Sequence, residues 1–107
     1  MVVKLKYEFY IPTSYNDKTP IEPKKQRYVK NKIVDKFNGI SIHPATVQGI
    51  WCGQNKEVFH YDNCIHFEVC VDNLDENEIF FEQLKEELKE LFRQEDIYMI
   101  CFEVKML

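Results

Sequence analysis

His66 stands two residues from Cys64 and two from Glu68, inside a run, Cys64-Ile65-His66-Phe67-Glu68-Val69-Cys70, in which polar and apolar residues alternate. A period of two puts Cys64, His66, Glu68 and Cys70 on one face of a strand and Ile65, Phe67, Val69 and Val71 on the other. An imidazole beside a carboxylate supports acid–base chemistry, with Glu68 as the partner or Glu8 from a neighbouring strand. A thiol beside an imidazole is an activated nucleophile, which Cys64 would supply. His66, Glu68, Glu8 and Cys64 are therefore the candidate catalytic residues. The competing account is that polar cross-strand pairs on a solvated face explain the same residues without any activity.

By spacing, these residues make a poor chelate. Cys64 and His66 lie roughly 7 Å apart along a strand and could share an ion, whereas Cys64 and Cys70 lie roughly 20 Å apart and could not. No Cys-x-x-Cys or His-x-x-x-His spacing occurs, and His60 would join Cys64 and His66 only through a kink at Asp62-Asn63. The expectation is no metal and no cofactor, with half-buried structural His and Cys.

A chain of 107 residues holds one domain with one core, so these residues must act on a single small fold spanning 1–107. Fourteen Lys and Arg against 18 Asp and Glu leave a net charge of −4, which argues against a surface that wraps nucleic acid or an anionic membrane. Fifteen aromatics with only 3 Gly and 4 Pro exclude a low-complexity chain. The longest apolar stretch, Ile97 to Phe102, falls far short of the roughly 20 residues that span a bilayer. With no secretory leader pattern at Met1 to Tyr7, the expectation is a cytoplasmic protein whose cysteines Cys52, Cys64, Cys70 and Cys101 stay reduced.

The elements that must hold the candidate residues follow from periodicity. Val3, Leu5, Tyr7, Phe9 and Ile11 alternate with Lys4, Lys6 and Glu8, which predicts a half-buried first strand. The stretch from Pro12 to Pro20 is dense in turn formers and reads as a long surface loop. A helix is predicted from Pro23 to Phe37, opened by proline and closed by Asn38-Gly39. Ile40 to Cys52 reads as a strand interrupted near Pro44 and, at least at its start, at the sheet edge, because a proline cannot donate to a central ladder. Gly53 to Lys56 then turns the chain into a strand from Glu57 to Asp72, with a bulge expected at Asp62-Asn63. Asp75 and Glu78 suggest a capping box for a second helix ending near Arg93, with Phe80, Phe81, Leu84, Leu88, Leu91 and Phe92 as its apolar stripe. Ile97 to Met106 is the last strand.

Two amphipathic helices and strands in the order strand, helix, strand, strand, helix, strand are best buried as an α+β, ferredoxin-like split βαβ (βαββαβ): a four-stranded antiparallel sheet in the order 4-1-3-2, with both helices on one face. The open face is expected to hold Lys4, Lys6, Glu8 and Tyr10, then Cys64, His66, Glu68 and Cys70, and finally Met99, Cys101, Glu103 and Lys105. Tyr10 alone offers a stacking aromatic on the central strands, so an RNA-reading face is absent and Tyr10 becomes a candidate binding residue for another ligand. Gln48 and Trp51 flank Gly49-Ile50, a glycine beside a large aromatic, which suits either close packing or a binding platform. The first helix, Lys24 to Lys36, carries net +5, while Glu57 to Asp96 carries net −10, an asymmetry that favours association with a second copy or a charged protein partner.

Several segments resemble a family of short βαββαβ domains of unknown function. They are Tyr10-Ile11-Pro12-Thr13, Phe37-Asn38-Gly39-Ile40, His43-Pro44-Ala45-Thr46-Val47-Gln48-Gly49-Ile50-Trp51, and Leu91-Phe92-Arg93-Gln94-Glu95-Asp96-Ile97. The resemblance implies a ferredoxin-like fold and no activity, and it marks Gln94 in the turn after the second helix as a candidate surface site. The functional expectation is an interaction or regulatory module that self-associates, as a homodimer, through the open sheet face or a strand edge. The alternative is a small enzyme or ligand binder of the dimeric α+β barrel type, with its site on that open face.

Overall fold

The computed structural model describes residues 2–52 and 58–107, and, within them, not the side chains of residues 44, 45, 51, 52 and 58–62. The chain forms β1 (Val2–Pro12), α1 (Pro23–Phe37), β2 (Ser41–Cys52), β3 (Val58–Val71), α2 (Asp75–Leu91) and β4 (Met99–Met106). It is an α+β protein in which the strands pair antiparallel in the order β2-β3-β1-β4. A further isolated antiparallel bridge joins Ser14 to Pro20 in the loop after β1. The expected turn at Gly53 to Lys56 and the residue Glu57 lie outside the described residues.

The alternation in β1 does what its pattern demands. Tyr7, Phe9 and Ile11 are buried with Phe67, Val69 and Val71 of β3, beneath Val29 and Ile33 of α1 and Phe81, Leu84 and Leu88 of α2. One face of the sheet thus meets both helices and the other meets none of them. Tyr7 stacks on Phe81 with ring centroids 3.8 Å apart, and Phe37 at the end of α1 stacks on the same Phe81 at 5.5 Å, so one ring joins sheet and both helices. Burial, and then the Cys101 thiol, push the Tyr7 phenol well above its ordinary range, so Tyr7 is a packing residue.

Local chemistry closes the helices. Pro23 opens α1 where its missing N–H costs nothing, and Asn38 ends it in the left-handed region (φ 64°), which a short polar side chain tolerates. The capping box is corrected: Leu74 is the N-cap of α2, with no side-chain cap, and Asp75, Glu76 and Glu78 fill the first turn, where their charges meet the positive helix end. The buried Asn77 amide donates to the Asp72 carbonyl at 2.8 Å and ties the helix start to the end of β3. The loop after β1 is pinned down. Thr13 N–H bonds Asn63 O and Ile21 N–H bonds Thr13 O, while Tyr15 and Ile21 are buried. Lys25 bonds both the Tyr15 hydroxyl and the Leu91 carbonyl.

Two further expectations are overturned by register. The irregularity between His43 and Val47 falls on β2, a second shift at Trp51 and Cys52 puts its extra residue on β3 between Val58 and His60, and the ladder runs without a shift through Asp62-Asn63. Pro44 sits inside the first of these shifts, the place where an absent donor is tolerated. The facing of β4 is also the reverse of that expected. Directly opposed residues share a face, and Phe9, Tyr7 and Leu5 oppose Met99, Cys101 and Glu103. Met99, Cys101 and Glu103 therefore lie on the helix side, and the apolar set Ile100, Phe102, Val104 and Met106 lies on the open face. Pairing with β1 sets this register, and the only helix-side apolar residue β4 needs is Met99, which packs against the core.

The opposite charges of the two helices meet within one chain. Glu87 of α2 accepts hydrogen bonds from Tyr28 and from Lys32, the latter at 2.6 Å. Burial pushes the Glu87 carboxyl up, but these bonds outweigh it and hold it below its ordinary value of 4.5. A depressed folded pKa means stability that is fully present above 4.5 and is lost as pH falls through the folded value. Urea midpoints measured down from pH 6 should fall in that acid window, and Glu87→Gln should flatten this part of the profile; an unchanged profile contradicts the pairing. Phe81→Ala should cost about 3–5 kcal/mol in the same unfolding measurement, because it removes the ring that both helices and β1 share.

Candidate functional site

The open face is polar along its central strands because the charged positions of β1 lie opposite those of β3. Lys6 opposes Cys70, Glu8 opposes Glu68, and Tyr10 opposes His66. Across the other edge of β3, His43 opposes His66 and Ser41 opposes Glu68. Three strands thus bring Lys6, Glu8, His43, His66 and Glu68 into one cluster.

Lys6 Nζ lies 3.2 Å from Glu68 Oε2 and 3.6 Å from Glu8 Oε1, bridging two carboxylates that would otherwise repel. Its hydrogen bond to Glu68 raises the ammonium above its ordinary range despite opposing desolvation. Burial pushes the Glu68 carboxyl up, yet hydrogen bonds from Lys6 and then His43 bring it below its ordinary range. His43 Nε2 approaches Glu68 Oε2 at 3.4 Å. His66 Nε2 sits between the carboxylates, 3.7 Å from Glu8 and 4.0 Å from Glu68, and neither approach is a hydrogen bond. That nitrogen is buried and has no hydrogen-bond partner among the described residues. The two imidazoles stack nearly parallel, 8° apart in plane and 4.4 Å between centroids.

Tyr10 touches the other side of His66, with ring centroids 4.9 Å apart, and its own far edge meets Tyr98 at 5.3 Å. Beyond it opens a cavity of about 180 Å³ lined by Tyr10, Val47, Gln48, Gly49, Cys64 and Tyr98. The bulge in β2 puts Val47 opposite Cys64, so residues 47–49 form its wall. An aromatic-walled cavity therefore adjoins a cluster of two carboxylates, two imidazoles and an ammonium. Chemically, that arrangement can hold an amphipathic ligand with a flat apolar part and a charged part, or coordinate a cation.

Of the sequence candidates, Glu8, His66 and Glu68 come together in the cluster, while Tyr10, Gln48 and Cys64 line the cavity. Cys64 is buried there. Gln94 stands elsewhere. Its N–H bonds the Lys89 carbonyl and its amide reaches Asn16, so it closes α2 where Arg93 turns left-handed (φ 53°). The Trp51 side chain lies outside the described residues. Sequence reasoning missed His43 and Tyr98 as site residues. His43 reaches the cluster only through its register opposite His66, and Tyr98 through its position just ahead of β4, where its carbonyl accepts from Tyr10 N–H.

No protein-family model and no curated protein matches the chain. Among solved structures, the chain is similar to one described as a phage SAM lyase in complex with S-methyl-5'-thioadenosine. The likeness has a TM-score of 0.65 at 12% sequence identity and covers 96% of this chain and 90% of that one. At that identity it is the fold that is shared.

Proposed function

We propose that the protein is a small enzyme or ligand binder with a ferredoxin-like fold, whose site is the aromatic-walled cavity on the open sheet face, completed by a second copy of the chain. The observation that carries this reading is the adjacency of the cavity to the charged cluster, shared through Tyr10. A nucleoside with a charged substituent matches the two halves: a base to stack on Tyr10 and Tyr98, and a cationic or carboxylate-bearing tail to meet Glu8, Glu68 and Lys6. S-adenosylmethionine carries all of these groups, and the phage SAM lyase of similar fold makes it the first ligand to test. Fold likeness names that candidate without assigning the reaction.

The second copy enters for two reasons. A cavity of about 180 Å³ is smaller than the roughly 300 Å³ at which ligand pockets begin, so the described residues of one chain do not enclose a nucleoside. In addition, β4 turns its apolar alternation to the open face, leaving Tyr98 46%, Ile100 36%, Phe102 41% and Met106 41% exposed in the single chain. A strand normally alternates toward whatever buries it, and no element of this chain covers these side chains among the described residues. Two such sheets placed face to face bury the strip and close the cavity, which joins the self-association and ligand-site expectations in one assembly.

Light scattering should give a mass at least twice that of the chain, and Phe102→Asp should reduce it to the single-chain value with far-ultraviolet circular dichroism unchanged. A single-chain mass for the unaltered protein rejects the assembly. Calorimetric titration with S-methyl-5'-thioadenosine should show binding that Tyr10→Ala weakens by about tenfold or more, as expected for loss of one stacking platform. Incubation with S-adenosylmethionine and chromatography for released S-methyl-5'-thioadenosine tests turnover. Absence of binding to either compound excludes the adenosine ligand.

A further inference from the structure

We infer that His43, His66 and Glu68 form a binding site for a first-row divalent transition metal of borderline softness, of which Zn²⁺ is the type case. The sequence reading expected no metal because the cysteines are badly spaced, and that remains true of the cysteines. The cluster draws instead on both strands of the β2–β3 pair. One ligand atom from each of the three side chains lies within 4.8 Å of the others. The Nε2 atoms of both histidines face the same Glu68 oxygen, at 3.4 Å and 4.0 Å. Ligands bound at about 2.0–2.1 Å in tetrahedral geometry stand roughly 3.3–3.5 Å from one another, so side-chain movements of up to roughly an ångström, with the stacked His43 and His66 rings turned so that their in-plane lone pairs converge, bring these atoms into place.

A second observation is independent of that spacing. Among the described residues, His66 Nε2 is a buried polar atom with no hydrogen-bond partner. Leaving such an atom unsatisfied is costly, and native structures avoid it unless the atom has another use. A metal ion at this point takes the nitrogen's lone pair. Glu8 Oε2, 3.7 Å from the same nitrogen, is placed as a fourth ligand or as the carboxylate that holds a metal-bound water. Lys6 is the competitor, since its ammonium holds Glu68 Oε2 at 3.2 Å. Glu8 Oε1 at 3.6 Å gives that ammonium an alternative partner, so metal entry need not strand a charge.

The donor set selects the ion. Two imidazoles and one carboxylate suit Zn²⁺, Co²⁺ or Ni²⁺, whereas Ca²⁺ and Mg²⁺ require oxygen-rich shells. Three protein ligands leave a fourth position, for Glu8 or a water. The metal site goes beyond the ligand reading above and does not depend on it.

The full chain, freed of metal with a chelator and exchanged into chelator-free buffer, should bind one Zn²⁺ per chain in a calorimetric titration, with a Kd of about 10 μM or tighter. Co²⁺ should give visible ligand-field bands. His43→Ala, at an exposed position, should weaken binding at least tenfold and abolish the bands, as should Glu68→Gln, while Gln94→Ala, away from the site, should leave both unchanged. Sub-stoichiometric binding, or binding and bands that survive His43→Ala and Glu68→Gln, overturns the assignment. S-methyl-5'-thioadenosine binding measured in the presence of chelator separates failure of the cavity reading from failure of the metal site.

Discussion

The pairing of β1 with β3 fixes two opposite surfaces in one step. With Phe9 opposite Phe67, the odd positions of both strands pass under the helices. Glu8 opposite Glu68 and Tyr10 opposite His66 necessarily face the other way. A slip of one residue would turn one strand over against the other, sending Lys6 and Glu8 into the core and Phe9 into water if β1 slips, or His66 and Glu68 into the core and Phe67 into water if β3 does. The core and the candidate site are thus maintained by the same ladder, and the burial of Phe9, Ile11 and Phe67 holds the charged cluster in place. Two facing carboxylates at the centre of a sheet would repel, and Lys6 between them is what makes the arrangement tolerable.

That constraint leaves the outer strands to differ. At one edge, β2 follows β3 as far as His43, shifts register around Pro44, and resumes with Val47 opposite Cys64. The shift places His43 over His66 and opens the wall of the cavity. At the other edge, β4 aligns its apolar residues with Lys6 and Glu8 instead of with Tyr7 and Phe9. The open face is therefore polar along its centre and apolar along one margin. Such a surface suits a partner sheet that buries the margin while leaving a small wet space above the charges.

Much of this was legible in the sequence wherever the information is local. Alternation in Val3 to Ile11 and in Ile65 to Val71, the proline at the start of α1 and Asn38 at its end each carry their own physical instruction, and Glu8, His66 and Glu68 could be named from it. The facing of β4 was not legible: Tyr98, Ile100, Phe102, Val104 and Met106 mark an apolar side without saying whether helices or another sheet will cover it. The break near Pro44 was legible from the proline's missing donor, whereas the bulge expected at Asp62-Asn63 does not occur there, because the ladder runs through those residues without a shift. His43 was hidden as well. It lies 23 positions before His66, and only the β2–β3 register brings the two together. The opposed charges of the helices were visible, but Lys32 and Tyr28 spend part of them on Glu87 within the chain.

The proposed ligand site is the open face around Tyr10. Backbone amide shifts recorded by two-dimensional NMR during addition of S-methyl-5'-thioadenosine test this most directly. The account predicts saturable changes concentrated at Tyr10, at 47–49, at Cys64 and at Tyr98, with the exposed faces of α1 and α2 unmoved. Saturable changes confined to the helices, or none at any ligand concentration, would contradict it.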